Sequence, residues 1–142
     1  MNGSTELYWL EEQELEAIHR EVIAASGGLP GIRDRGLLAS ALVAPQTLWH
    51  YAPEAPNLLD LAARLAYGLS KNHGFVDGNK RTAFIATYTF LVMNGIAIQA
   101  SQQSVVEAME ALASSTDEPG QAQARFANWL SSVTEATAQE PL

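Results

Sequence analysis

Between His73 and Arg81 the chain reads HGFVDGNKR. Those nine residues hold an imidazole that can take up a proton, a carboxylate that can hold a hard cation, two glycines and two adjacent bases. The DGN triplet marks a turn and the residues after it a helix, so Asn79 is expected at or near a helix start. The first N–H groups of a helix have no partners inside it and form an anion site. Gly78 allows a positive φ and lets a ligand approach the backbone. Lys80 and Arg81 then fall in the first turn, where a cation is disfavoured by about 0.3–1 kcal/mol each for helix stability alone. Two bases placed there suit a bound phosphate. Asp77, beside that phosphate, is a hard oxygen ligand suited to Mg²⁺ shared with a nucleotide. His73, at the end of the preceding helix, is placed to take the proton of an attacking hydroxyl. Phe75 is expected to turn inward and anchor the loop.

Each of these residues alone has an ordinary reading: a helix cap for His73, a turn for Asp77, solvated charges for Lys80 and Arg81. Their conjunction in one short window carries the functional reading. His19 and His50 lack such company and read as a helix-face residue and a loop residue.

The window lies between two long apolar patterns. Leu15, Ile18, Val22 and Ile23 recur at helical spacing over about Glu11–Ala25, and SGGLPG stops that helix. A short helix follows over about 34–43 with Asp34 as its cap. Residues 44–57, with three prolines, read as a loop containing a strand-like TLWHY. Asn57 caps a helix whose apolar face is Leu58, Leu61, Ala62, Leu65 and Leu69. After the window comes RTAFIATYTFLVMN, apolar on all sides and therefore central, closed by Gly95. IAIQA reads as extended, Ser104 as the cap of a further helix, and Phe126, Trp129, Leu130 and Val133 as a last helix. The expected fold is all-α, one compact domain over 1–142 of about six helices, with its core at about 8–133 and a frayed tail at 134–142.

Composition narrows the function. The chain has 142 residues, 47% hydrophobic and 17% charged, which is ordinary for one globular domain. It has no cysteine, so thiolate metal sites and disulfides are excluded. No apolar run reaches the roughly 18 residues of a membrane span, and the acidic start lacks the bases of a signal peptide. A cytoplasmic location is expected. A net charge of −8 argues against direct nucleic-acid binding, yet three of the eight Lys and Arg fall in residues 71–83.

HGFVDGNKRTA, from His73 to Ala83, resembles the signature of the Fic/Doc superfamily: HxF, a variable residue, an acid, Gly-Asn and a basic pair. The NKRTA ending resembles its death-on-curing (Doc) toxin branch, and GGLPGIRDRG at 27–36 fits the same branch in order and spacing. The likeness extends over roughly Tyr8–Trp129 and implies the small all-α Fic/Doc bundle. It implies an ATP- and Mg²⁺-using transferase, with His73 as general base and Asp77 holding the metal. By the same likeness Gly78 and Asn79 shape the anion loop, while Lys80 and Arg81 grip phosphate oxygens. Fic members transfer AMP to a protein hydroxyl. Doc toxins phosphorylate a threonine of elongation factor Tu, stop translation, and are held in check by an antitoxin whose disordered tail folds onto them.

Two departures from the AMP-transferring pattern GNGRxxR favour the kinase: Lys80 stands where that pattern has glycine, and Phe84 where it has its second arginine. Neither a Walker A loop nor a kinase GxGxxG loop occurs. The stretches at Ser114 and Ser131 nearest the family's inhibitory helix motif lack its final Gly or Asn, so self-inhibition is not expected. AMP transfer and a catalytically silent regulatory module are the alternatives. A metal-dependent hydrolase or ribonuclease lacks a second metal cluster and has the wrong charge for RNA.

Overall fold

A computed structural model describes residues 6–136. Six helices follow one another: α1 (Glu12–Ser26), α2 (Arg35–Tyr51), α3 (Leu58–Asn72), α4 (Asn79–Met93), α5 (Gln102–Ser114) and α6 (Pro119–Val133). Two short strands, β1 (Ile96–Ile98) and β2 (Thr134–Ala136), pair antiparallel with Ala97 opposite Glu135. The all-α bundle expected from the sequence is the fold observed.

Helix α3 is the axis of the bundle. Asn57 accepts from the Asp60 N–H while Asp60 accepts from the Asn57 N–H, a reciprocal cap that fixes its start. From there Leu61, Ala62, Leu65, Ala66 and Leu69 recur on one face and are all buried. That face meets α2, α4, α5 and α6. Helix α4 crosses it with Ala83, Ala86, Phe90 and Leu91 buried. At the far end of α4, the Asn94 side chain accepts from the Tyr8 N–H and donates to the Tyr8 carbonyl, both at 3.0 Å. Trp9 stacks on Phe90 just beside it. The chain before α1 is thereby tied to the central helix. Among the described residues no helix is long and apolar enough to cross a membrane.

Three sequence expectations need correction. Residues 44–51 are not a loop with a strand; α2 continues through Pro45 to Tyr51, so His50 lies in its last turn. An interior proline costs a helix about 3 kcal/mol. Here Pro45 is itself buried, and Leu48 and Trp49 beyond it pack on the core, which offsets that cost. The cap of α5 is Ser101, whose hydroxyl accepts from the Ser104 N–H. Ser104 instead accepts from the indole of Trp129 at 2.9 Å. Finally, residues 134–136, expected to fray, form β2 because the edge of β1 is there to pair with. The remainder of the expected tail, 137–142, lies outside the described residues, as do residues 1–5.

Candidate active site at the start of helix α4

The six residues 73–78 join α3 to α4, and each end of the joint is built from a left-handed residue. His73 caps α3 at φ 53° and ψ 49°, and among the described residues it is the only non-glycine at positive φ. A histidine there carries strain that the surroundings must hold. Arg33 holds it: its Nε donates to the His73 carbonyl at 2.6 Å and its Nη2 to the Asn72 carbonyl at 3.0 Å. One guanidinium thus satisfies two orphan carbonyls at the negative end of α3. The His73 ring is exposed and makes no hydrogen bond among the described residues, so both nitrogens are open to a substrate.

Gly78 is the residue before α4, at φ 75° and ψ 21°. A left-handed residue followed by helical ones turns successive N–H groups inward, making an anion-binding nest. No side chain caps this end, and the first closing bond is from the Thr82 N–H to the Gly78 carbonyl. The N–H groups of Asn79, Lys80 and Arg81 therefore have no acceptor among the described residues. Space is as important as conformation here. A Cβ on Gly78 would lie 3.2 Å from Ile23 Cδ1, so α1 presses directly on the turn.

The strand-like stretch between these ends is clamped from two sides. Asn79 accepts from the Phe75 N–H at 3.0 Å and donates to the Phe75 carbonyl at 2.9 Å, a side chain standing in for a sheet partner. On the opposite edge the loop after α1 runs antiparallel. Gly74 accepts from the N–H groups of Arg33 and Asp34, Val76 donates to Gly31, and Ile32 bridges Phe75. Phe75 itself is buried at 2% exposure. The GGLPGIRDRG block is thus the second wall of the joint.

Asp77 points its carboxylate into that wall. Oδ2 accepts from the Leu29 N–H at 3.1 Å and Oδ1 from the Gly78 N–H at 2.9 Å. A Cβ on Gly28 would lie 2.8 Å from Oδ2, so any larger residue at that position would push the carboxylate from its place. Each oxygen keeps a lone pair for a cation. No cluster of three or more His, Cys, Asp or Glu suited to a metal exists among the described residues. A metal here would need oxygen atoms from its ligand as well as Asp77.

The two bases diverge. Lys80 Nζ donates to Glu110 Oε2 of α5 at 2.5 Å, whereas Arg81 has no ion pair among the described residues and lines a groove of about 340 Å³ against Ile18, Glu21 and Val22 of α1. They were expected to grip one phosphate together. Adjacent helical residues project about 100° apart, and only Arg81 is left uncommitted beside the open N–H groups.

Sequence reasoning missed His19. It is not a simple helix-face residue but is buried at 4% exposure, its ring flat on Phe75 with centroids 3.7 Å and planes 6° apart. Its Nε2 lies 2.9 Å from the Asp77 carbonyl. Its spacing from Leu15 and Val22 put it on the buried face, a signal that was present in the sequence.

Comparison with known proteins bears on this region. The model of the Fic/DOC family matches residues 9–91, from the segment before α1 to near the end of α4. Toxin Doc of Mycolicibacterium smegmatis is 46% identical over 76 residues, covering 54% of this chain and 58% of that protein. Protein kinase doc of Escherichia phage P1 is 33% identical over 89 residues, covering 63% of this chain and 70% of its own. The chain thus spans less than two thirds of the mycobacterial relative. Helices α5 and α6 lie beyond the matched family span, although the likeness was expected to run to Trp129.

Proposed function

The chain belongs to the Fic/DOC family, and on that footing we propose that it is a Doc-type toxin transferring the γ-phosphate of ATP to a protein hydroxyl. The reading is carried by the N–H groups of Asn79, Lys80 and Arg81, which have no acceptor among the described residues, at the junction that also bears His73, Asp77 and the Arg81 guanidinium. Their donors and the helix dipole fit a phosphate. His73 accepts the hydroxyl proton while the hydroxyl oxygen bonds to the γ-phosphorus; the bond to the β–γ bridging oxygen breaks, and ADP leaves with its electron pair. Positioning and charge neutralisation supply most of the acceleration in such transfers. Asp77 would hold a Mg²⁺ ion together with the nucleotide, and that ion would neutralise phosphate charge.

By family likeness the hydroxyl belongs to a threonine of elongation factor Tu, and the effect is arrest of translation in the cytoplasm. The partner is an antitoxin of a type II toxin–antitoxin pair. Helix α4 is apolar on nearly every side, yet Ile85, Tyr88 and Val92 form an exposed stripe along it. That stripe continues the groove at Arg81 and suits an amphipathic helix of the antitoxin tail.

AMP transfer remains the second reading, favoured by one observation. The ammonium of Lys80, which stands where the AMP-transferring pattern has glycine, is paired with Glu110 of α5. Incubating a translation extract with the protein and Mg-ATP, followed by mass spectrometry, tests both. A gain of one phosphate on a protein supports the kinase, a gain of AMP replaces it with the second reading, and no modification overturns transfer altogether.

A further inference from the structure

The geometry points to His19 as a positioning residue that sets the backbone of the anion loop from inside the core; the inference rests on the transferase reading above. The Asp77 carbonyl can only accept, so the nitrogen 2.9 Å from it carries the proton: Nε2 is the donor. That bond fixes the peptide between Asp77 and Gly78, the one immediately before the open N–H row of α4, which begins at Asn79. The ring cannot swing away, because its face lies on Phe75 and its residue is almost fully buried. Phe75 is in turn held by both edges of the Asn79 amide. From Nε2 to the place a Cβ of Gly78 would occupy is 3.9 Å, and Val22 Cγ1 and Ile23 Cδ1 lie nearer, so all three side chains of α1 seat that helix on the turn.

Three roles are thereby joined in one side chain. Through the carbonyl it orients the loop donors, through Phe75 it braces the strand after His73, and through α1 it fixes the helix whose trailing loop supplies Leu29 N–H to Asp77. A histidine that merely fills the core would need only the ring contact. The hydrogen bond is what a filler does not require, and it ends on the residue preceding Gly78.

Two variants separate the bond from the ring. His19→Phe keeps a flat ring against Phe75 and removes the donor; His19→Gln places an amide N–H near the Nε2 position and removes the ring. We expect His19→Phe to melt close to wild type but to lose up to about 10²-fold in transfer, as misplacement on the ångström scale does, with KM for ATP raised. His19→Gln should melt lower and recover transfer when assayed while folded. In the nucleotide-free proteins, the backbone amide signals of Gly78, Asn79 and Lys80 should move in His19→Phe and stay near wild type in His19→Gln. Wild-type amide signals in His19→Phe, or amide shifts and activity that follow melting temperature in both variants, would overturn the positioning role. If wild type itself moves neither phosphate nor AMP, the proposed function fails, and the amide signals alone decide the role of His19.

Discussion

Lys80 of α4 and Glu110 of α5 form an ion pair at 2.5 Å on the outside of the bundle, with side chains 46% and 57% exposed. Pairs this exposed contribute about 0–1 kcal/mol, so a polyphosphate can take Lys80 from Glu110 at little cost. The pair therefore does not remove Lys80 from the site; it makes its recruitment a competition. If the lysine selects the transferred group, Lys80→Gly should lose γ-phosphate transfer and gain a trace of AMP transfer, enlarged by adding Phe84→Arg. Glu110→Gln should lower the KM for ATP a few-fold, because the competitor is gone. Label from α- and γ-labelled ATP reads each outcome. Full γ-transfer by Lys80→Gly would show that the lysine is not the selector.

His73 joins a chemical role to a backbone cost, and two substitutions pull them apart. His73→Ala should reduce transfer by about 10²–10⁴-fold, the usual contribution of a general base, while nucleotide binding persists. His73→Gly should be equally inactive yet at least as stable as wild type, since glycine occupies φ 53° without strain. Thermal melts and rates on the same samples check this. An active glycine variant would assign the proton to another group.

Much of this arrangement was legible in the chain, for identifiable reasons. Helices α1, α3 and α4 carry dense apolar faces and strong punctuation, Gly27, Asn57 and Gly78 among them, so both their existence and their ends could be read. The second half of α2 could not. Pro45 within it and Pro53 and Pro56 after it argue for a loop unless one knows that Pro45 is buried and that Leu48 and Trp49 reach the core beyond it. Strand β2 was hidden because its partner strand is far away in the chain, with Ile98 opposite Thr134 and Ile96 opposite Ala136, and a three-residue strand has no periodicity of its own. The cluster of site residues was legible because it is contiguous. What was not legible is what holds it: Arg33, Leu29 and His19 reach the loop from 40 to 58 residues away.

Asp77 is the sharpest test of the metal. Asp77→Asn keeps the shape but removes the charge, and its one amide oxygen can accept from only one of the Leu29 and Gly78 N–H groups. Affinity for Mg²⁺ in the presence of a non-hydrolysable ATP analogue should fall, and transfer with it. Calorimetric titration gives the affinities directly. Equal affinity in the two proteins would reduce Asp77 to a turn residue that fastens the loop after α1.

Thr82 offers a prediction free of any assumption about the reaction. Its hydroxyl is buried, and among the described residues it has no hydrogen-bond partner. A buried hydroxyl left unpaired costs about 1–3 kcal/mol. Valine has nearly the same shape and no polar atom, so Thr82→Val should stabilise the fold, by about 2–4 °C in melting temperature for each kcal/mol recovered. Thr82 stands directly after the three open N–H groups, which makes a second measurement informative. If the hydroxyl contributes nothing to the ligand, saturating Mg-ATP should raise the melting temperature of both proteins by the same amount. A smaller rise in the valine variant would place the hydroxyl among the nucleotide's contacts, whereas a lower melting temperature without nucleotide would mean that it already has a partner in solution, such as a buried water.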